Sequence, residues 1–545
     1  MKIRKILEKR IVTFIICVIF IVLAALYYYG QQCGYPPEPE WLLGISRMYS
    51  HLSLGVKYYI TELLDSTCAL LATKIGGMSY YSARLYSTFL YVILLSASML
   101  LALRDKSNGR MKLYLLPLFA LFAVFLFPVS DNVELFQWPK GVELMYMWPF
   151  TYHYMPRIYA LFCFIIFLFL VQCRERKKQI VFSTLLAAVC LYAMKMTDLI
   201  FYTMFLAPLF IVVFLHAIQK AETRKYAVYL MSGGMGILFL SRILPYAFKG
   251  RVWAKDRVDI YGEIYGGTNW ISPEYLVTLL LNYIKLNTVN FNIQLPGKPV
   301  ISLYSVVFMF KIAILIAGYI IVFHIIKCSL TKKSMSYRYD CLDEVLAWSY
   351  LILSGIFLFT DFGSMVVFYK YFIGLNPIMI ILLCRNIEVF PQVINIKIIS
   401  EIKNKKVLLC AYTFVLCVCS MEKVWTYHAP DGYEADFRAI TAYIEITGFG
   451  HAVAPLWLSP QVGAFSEGEI MVYTTVGEVR NAYGDDAKIA YIITNSDDNS
   501  EIQDNVYEHC GSYEEICEYY SEPTDILNYD KLQLLVFENG IEIKE

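Results

Sequence analysis

Tyr35-Pro36-Pro37-Glu38-Pro39-Glu40-Trp41 sets two carboxylates among prolines and an aromatic ring, just after the first apolar run. Held there, Glu38 or Glu40 can act as general base toward a hydroxyl; the same residues also suit an ordinary solvated loop. A second group comprises Asp131-Asn132-Val133-Glu134 and then Trp148-Pro149-Phe150-Thr151-Tyr152-His153-Tyr154-Met155-Pro156-Arg157. Asp131, Glu134, His153 and Arg157 form an acid/base and phosphate-binding set, or else charged neighbours of an interfacial aromatic belt. Further cations stand where apolar runs begin or turn. Arg84, in Tyr81-Ser82-Ala83-Arg84-Leu85, either snorkels to headgroups or holds an anion. Lys195 and Asp198 flank a tight turn between two apolar runs, where charge is costly unless paired or facing a watery cavity. Lys370, in Tyr369-Lys370-Tyr371-Phe372-Ile373-Gly374, is a point charge suited to a lipid-linked phosphate that arrives from the bilayer interface.

What positions these groups is a series of apolar runs at about 11–29, 81–103, 113–128, 158–173, 180–196, 199–218, 228–247, 306–326, 345–360, 372–384 and 407–421, each read against about 30 Å of hydrocarbon. They predict a polytopic α-helical membrane protein with about eleven spans, the 180–218 stretch being a span pair or a re-entrant hairpin. Lys and Arg cluster in every second gap, at Lys2–Arg10, Arg104–Lys112, Arg174–Lys178, Lys220–Lys225, Lys327–Arg338 and Arg385–Lys406. The positive-inside rule makes those gaps cytoplasmic, with the N-terminus inside and the candidate residues outside, in a multi-pass protein of the cytoplasmic membrane. Run 11–29 lacks a small-residue cleavage site and is expected to stay as the first span. Lys57–Ile75 and Pro273–Leu286 mix apolar and polar residues and are expected to lie in the interface as amphipathic helices.

With 58% hydrophobic and 17% charged residues, the composition is not that of a soluble enzyme. The net charge of +1 conceals a split: from Met421 onward there are 24 acidic and 6 basic residues, −18 locally. A transmembrane domain over 1–421 and a small acidic, extracytoplasmic α/β domain over 422–545 follow. In the latter, helices are expected at Asp436–Thr447 and Tyr513–Tyr520. Strands are expected at His451–Leu458, Ile470–Val476, Ile489–Ile493 and Leu532–Phe537, with a turn at Asn539-Gly540 before Ile541–Lys544. Dispersed basic residues exclude a nucleic-acid surface, and no GxxxxGK[ST] loop suggests an ATP-driven pump. Most cysteines lie within or beside apolar runs as small hydrophobes; Cys510 and Cys517 are either bridged or reduced.

Together these features resemble the membrane-embedded GT-C glycosyltransferases, especially relatives of the protein mannosyltransferases that use polyprenyl-phosphate sugars. The likeness rests on the acidic first outer loop (Glu38, Glu40), the interfacial helix after it, Ala83-Arg84-Leu85 opening the second span, and Lys370-Tyr371-Phe372 opening a late one. The tail is similar to an outer domain that ends many bacterial members, through Tyr443-Ile444-Glu445, Ala452-Val453-Ala454-Pro455-Leu456-Trp457 and Glu469-Ile470-Met471-Val472-Tyr473. The chain departs from that pattern in having no adjacent Asp-Asp or Asp-Glu pair in the first loop, and Lys370 where Arg is usual.

The resemblance implies a sugar donor on polyprenyl phosphate, a glycan or lipid-linked acceptor, and inversion at the anomeric carbon. Glu40 or Glu38 would be the base, with Asp131 or Glu134 next; Arg84, His153, Arg157, Lys195 and Lys370 would hold the donor phosphate. No cofactor is required, although carboxylates of this kind can recruit a divalent cation. The acidic domain would cap the site and position the acceptor, or serve stability and assembly. A polysaccharide polymerase or ligase would instead depend on Arg251 and Arg257 of the third outer loop, and a lipid-linked glycan flippase on a charged pathway through the membrane.

Overall fold

The computed structural model describes residues 2–31, 63–77, 80–106, 109–123, 154–196, 199–219, 236, 270–290, 301, 303–331, 339–363, 372, 374–389, 411, 434–454, 458, 462–463, 465–466, 469–473, 475–484, 486–494 and 513–544. The chain divides into two compact units. Met1–Ala25, Tyr91–Pro149 and His153–Tyr427 form the first; Leu26–Leu90, Phe150–Tyr152 and His428–Glu545 form the second. The tail from His428 thus shares its unit with Leu26–Leu90 and Phe150–Tyr152.

The helices are α1 (Lys2–Gln31), α2 (Leu63–Gly76), α3 (Tyr80–Leu103), α4 (Leu116–Ala123), α5 (Tyr154–Gln172), α6 (Arg176–Met196), α7 (Leu199–Phe201, a π-helical turn Tyr202–Leu206, then Ala207–Gln219), α8 (Leu276–Asn290), α9 (Leu303–Leu330), α10 (Cys341–Phe359) and α11 (Leu375–Asn386). Six stretches are long and apolar enough to cross a membrane, the signature of a membrane protein: Arg84–Leu103, Met155–Gln172, Arg176–Met194, Tyr202–Gln219, Met309–Leu330 and Cys341–Phe359. They coincide with the expected runs at 81–103, 158–173, 180–196, 199–218, 306–326 and 345–360. The runs near 11–29 and 372–384 fall on the shorter apolar helices Ile11–Leu26 and Leu375–Asn386. Run 113–128 is described only to Ala123. Runs 228–247 and 407–421 lie outside the described residues apart from Gly236 and Ala411.

Over Pro273–Leu286, expected as an amphipathic helix, α8 runs lengthwise along α10. Trp270 bridges Thr360, Asn282 donates to the Gly363 carbonyl at 2.9 Å, Tyr283 Oη meets Ser354 Oγ at 2.7 Å, and Tyr350 Oη donates to Asn287 Oδ1 at 3.0 Å. Partners ascend α8 as they descend α10, so the two helices are antiparallel. Asn282, Tyr283 and Asn287 are the hydrogen-bonding residues of the face toward α10, and the exposed face carries Val277, Leu280, Leu281 and Ile284. Gly363 makes the close approach feasible: a Cβ there would collide with the Phe357 carbonyl oxygen and with Leu279.

The C-terminal domain contains α12 (Glu434–Thr447), α13 (Val476–Tyr483) and α14 (Tyr513–Tyr519), with β1 (His451–Val453), β2 (Met471–Tyr473), β3 (Ile489–Thr494), β4 (Asp525–Asn528) and β5 (Leu532–Phe537). The sheet order is β2-β1-β3-β5-β4; β1 is parallel to β2 and β3, while β5 is antiparallel to β3 and β4. Alternation along the strands divides the core. Ala452, Ala490, Ile492, Leu534 and Val536 pack beneath Phe437, Ile440 and Ile444 of α12, whereas Val453, Tyr491, Ile493 and Leu535 pack beneath Val476 and Val479 of α13 and Ile516 of α14. The result is an α/β layer structure of the kind expected. Asp436 fastens α12 to the β4–β5 hairpin, its Oδ2 accepting from the backbone N–H groups of Lys531 (2.6 Å) and Leu532 (3.0 Å). Strand β2 stops short of the expected Val476, because Thr475 caps α13 by accepting from the Glu478 backbone N–H, so the chain turns helical there.

Candidate functional site

The helices of the first unit share a defined polar end. Arg385, at the end of α11, donates through Nε to Asp343 Oδ1 (2.7 Å), through Nη2 to Asp340 Oδ2 (2.6 Å) and through Nη1 to the Leu101 carbonyl of α3 (3.3 Å). Lys106 donates to the second Asp343 oxygen and to Asn386. Asp340 and Asp343 also close a capping box at the start of α10, each side chain accepting from the other's backbone N–H. Beside them Glu344 meets His216 of α7 at 2.9 Å and Ser329 of α9 at 3.4 Å, while Arg104 donates to Gln172 of α5. The C-terminal ends of α3, α5, α7, α9 and α11 and the N-terminal end of α10 therefore gather on one side. Basic residues Arg104, Lys106, Lys112, Lys327 and Arg385 belong to those ends, as their spacing in the chain suggested.

The described candidate cations belong to the other helix ends. Arg157, near the start of α5, is 1% exposed. Its guanidinium lies against Gly374: a Cβ added to that glycine would sit 3.6 Å from Arg157 Nε and 3.1 Å from Met204 Sδ. Met204 belongs to the π turn of α7, whose displaced carbonyl accepts from Ser349 of α10. Gly374 in turn opens α11 immediately after the Lys370-Tyr371-Phe372 phrase, and the Phe372 ring packs edge-on against Phe357 at 4.9 Å. Thus a residue from the second expected outer loop and the segment following Lys370 meet at one junction.

Arg84, near the start of α3, is 5% exposed. It donates from Nη2 to the Tyr29 carbonyl (2.6 Å) and stacks over the Tyr29 ring at 4.0 Å; its Nε makes no hydrogen bond among the described residues. This is an interior contact rather than a headgroup anchor. Lys195 lies in the last turn of α6. Glu38, Glu40, Asp131, Glu134, His153 and Lys370 lie outside the described residues, as do Arg251 and Arg257. Among the described residues no cluster of His, Cys, Asp or Glu is arranged to hold a metal ion. Cys517 is a free thiol on α14.

The sequence reading missed Asp340, Asp343, Glu344 and His216. Asp340 and Asp343 had a local signal, the D-x-x-D spacing of a helix cap ahead of an apolar run, but their partners are far away in the chain.

His451, at the start of β1, was also missed. Its ring stacks on Tyr483 with centroids 4.3 Å apart and planes 6° from parallel. Burial holds its pKa below the ordinary value of 6.5, against the opposing effect of the Lys488 backbone carbonyl. As pH falls through 6.5, the unfolded chain takes up a proton before the folded one, so stability declines; once the folded-state pKa is passed, the decline levels off. His451→Gln should flatten that acid-side decline in the unfolding midpoint between about pH 7 and 5, and an unchanged slope would remove His451 from the account. No family model matches this chain, and no curated protein matches it significantly.

Proposed function

We propose that the protein is a membrane glycosyltransferase that moves a sugar from a polyprenyl-phosphate donor to a cell-envelope glycan or lipid acceptor, working at the end of the bundle opposite the basic clusters. One observation carries this reading: the buried Arg157 guanidinium meets the Gly374 turn directly behind Lys370-Tyr371-Phe372. A guanidinium inside apolar helices is expensive, and such residues mark ligand or ion sites more often than packing. In the reaction, Glu40 or Glu38 takes the acceptor's hydroxyl proton while the oxygen attacks the anomeric carbon. The bond from that carbon to the phosphate oxygen breaks, and its electron pair leaves with the lipid phosphate. Lys370 and Arg157 stabilise the charge that develops there.

The test is sugar transfer by full-length protein in lipid, offered polyprenyl-phosphate sugars with lipid-linked acceptors. Glu40→Gln or Glu38→Gln is expected to lower turnover by about 10²–10⁴-fold, the usual worth of a general base. Lys370→Ala is expected to raise the donor KM and lower turnover. Transfer only from diphosphate-linked oligosaccharides, unaffected by Glu38→Gln and Glu40→Gln but lost in Arg251→Ala, would replace this reading with a polysaccharide polymerase.

A further inference from the structure

The outer edge of the C-terminal sheet carries a polar aromatic surface that no element covers among the described residues. Strand β2 is the edge strand, paired to β1 with His451 opposite Met471 and Val453 opposite Tyr473. Alternation along the strands puts these four side chains on one face. Val453 is buried under α13, but where that helix ends Tyr483 turns back over the sheet and stacks on His451. The Tyr473 and Tyr483 rings stand nearly perpendicular, at 83° with centroids 6.0 Å apart, and their hydroxyls are 3.2 Å from each other. Both hydroxyls also reach Met471 Sδ, at 3.1 and 3.4 Å. Met471 is 56% and Tyr483 49% exposed.

These contacts fix two phenol rings at the surface before any ligand arrives. Side chains already held in place lose little further freedom on binding, which is why tyrosine is favoured at recognition surfaces. The Tyr483 hydrogen bond pushes the Tyr473 phenol up to about 12, so the Tyr473 hydroxyl stays protonated and can donate as well as accept. A ring face beside paired hydroxyls complements a pyranose, which has an apolar C–H face rimmed by hydroxyls. Charge narrows the ligand further. The −18 carried by the chain after Met421 repels phosphates, uronic acids and anionic headgroups.

We infer that Tyr473, Tyr483 and Met471, backed by His451, form a binding site for an uncharged glycan segment. Its role as a holding site for the growing acceptor rests on the glycosyltransferase reading; the binding itself does not.

The experiment uses full-length protein in lipid nanodiscs and saturation-transfer NMR, with defined tetrasaccharides of neutral hexoses and of N-acetylhexosamines, and a uronic-acid tetrasaccharide for comparison. At least one neutral probe is expected to bind, and Tyr483→Ala to weaken it about tenfold, within the range of one lost aromatic contact. Tyr483→Leu keeps the bulk and so protects the fold; it should lose binding with little change in the unfolding midpoint, and Tyr473→Phe should lose less. Binding of no neutral probe overturns the inference, as does preference for the uronic acid or equal binding by Tyr483→Leu. A β-strand peptide that binds at β2 while the glycans do not overturns it in favour of strand addition. If the neutral glycan binds through Tyr483 yet no lipid-phosphate sugar is ever transferred, the site stands and the enzyme reading falls.

Discussion

Asp343→Ala is expected to be among the most destabilising single substitutions in the helical unit. Its carboxylate is fully buried, bound by Arg385 Nε at 2.7 Å and by Lys106 Nζ, and it completes the cap of α10. Forming such a cluster yields little net stability, since desolvating the charges cancels most of their attraction. Breaking it is another matter. Alanine leaves the Arg385 guanidinium inside the bundle with Asp340 as its one remaining carboxylate partner among the described residues, and Asp340 is 25% exposed. The expected loss is about 3–5 kcal/mol, the usual cost of removing one member of a buried ion pair. Thermal unfolding of the purified protein in detergent would read it as a large drop in midpoint. Lys106→Met should cost less, because the ammonium is 22% exposed and water can reach the site. The double variant Asp343→Leu with Arg385→Met should recover much of the loss, since matched apolar groups need no counter-charge. A single variant that unfolds like wild type would show the cluster to be dispensable.

That cluster also marks where the sequence stops being informative. Apolar run length gave six helices, because a span needs a minimum length and little else. Spacing of Lys and Arg anticipated a shared basic end, since those residues need only lie near one another. Asp343 is different: its D-x-x-D spacing with Asp340 marks a helix cap and nothing more, and its partners Lys106 and Arg385 are 237 and 42 residues away. Helix α8 shows the same limit. The roles of Tyr283 and Asn287 emerge only when α10 supplies Ser354 and Tyr350 as their partners. In the C-terminal domain the long strands β3 and β5 were legible from their apolar runs. Strand β4 was not: Asp525-Ile526-Leu527-Asn528 has no β-branched majority and is a strand because β5 pairs with it. Helix α13 did have a signal, Thr475 three residues before Glu478, which outweighs the apolar run leading into it. Of the candidate site, residue types were legible, but that Arg157 should lie against Gly374 was not. Their contact depends on α5 and α11 starting at the same end, which only the assembled bundle determines.

Arg157→Ala is expected to lower activity strongly. The guanidinium sits where α5, the π turn of α7 and the start of α11 converge, and Gly374 lacks the Cβ that would crowd Met204 and touch the arginine. Through Gly374 it can fix the path of the Lys370 segment; it can also add positive field where a departing phosphate gains charge. Both effects act most strongly in the transition state, so turnover should fall by about 10²–10³-fold, as for loss of one preorganised donor. The donor KM should change much less, because uniform ground-state binding is not what is removed. Arg157→Lys restores the charge without the planar fork and should recover only a minor part of the rate, whereas a purely Coulombic role would let lysine recover most of it. A bland packing role makes a third pattern: a lowered unfolding midpoint in both variants, with the surviving folded protein turning over normally. Finding that third pattern, or near wild-type transfer by Arg157→Ala, would detach Arg157 from the chemistry and remove the main support for a phosphate site behind Lys370.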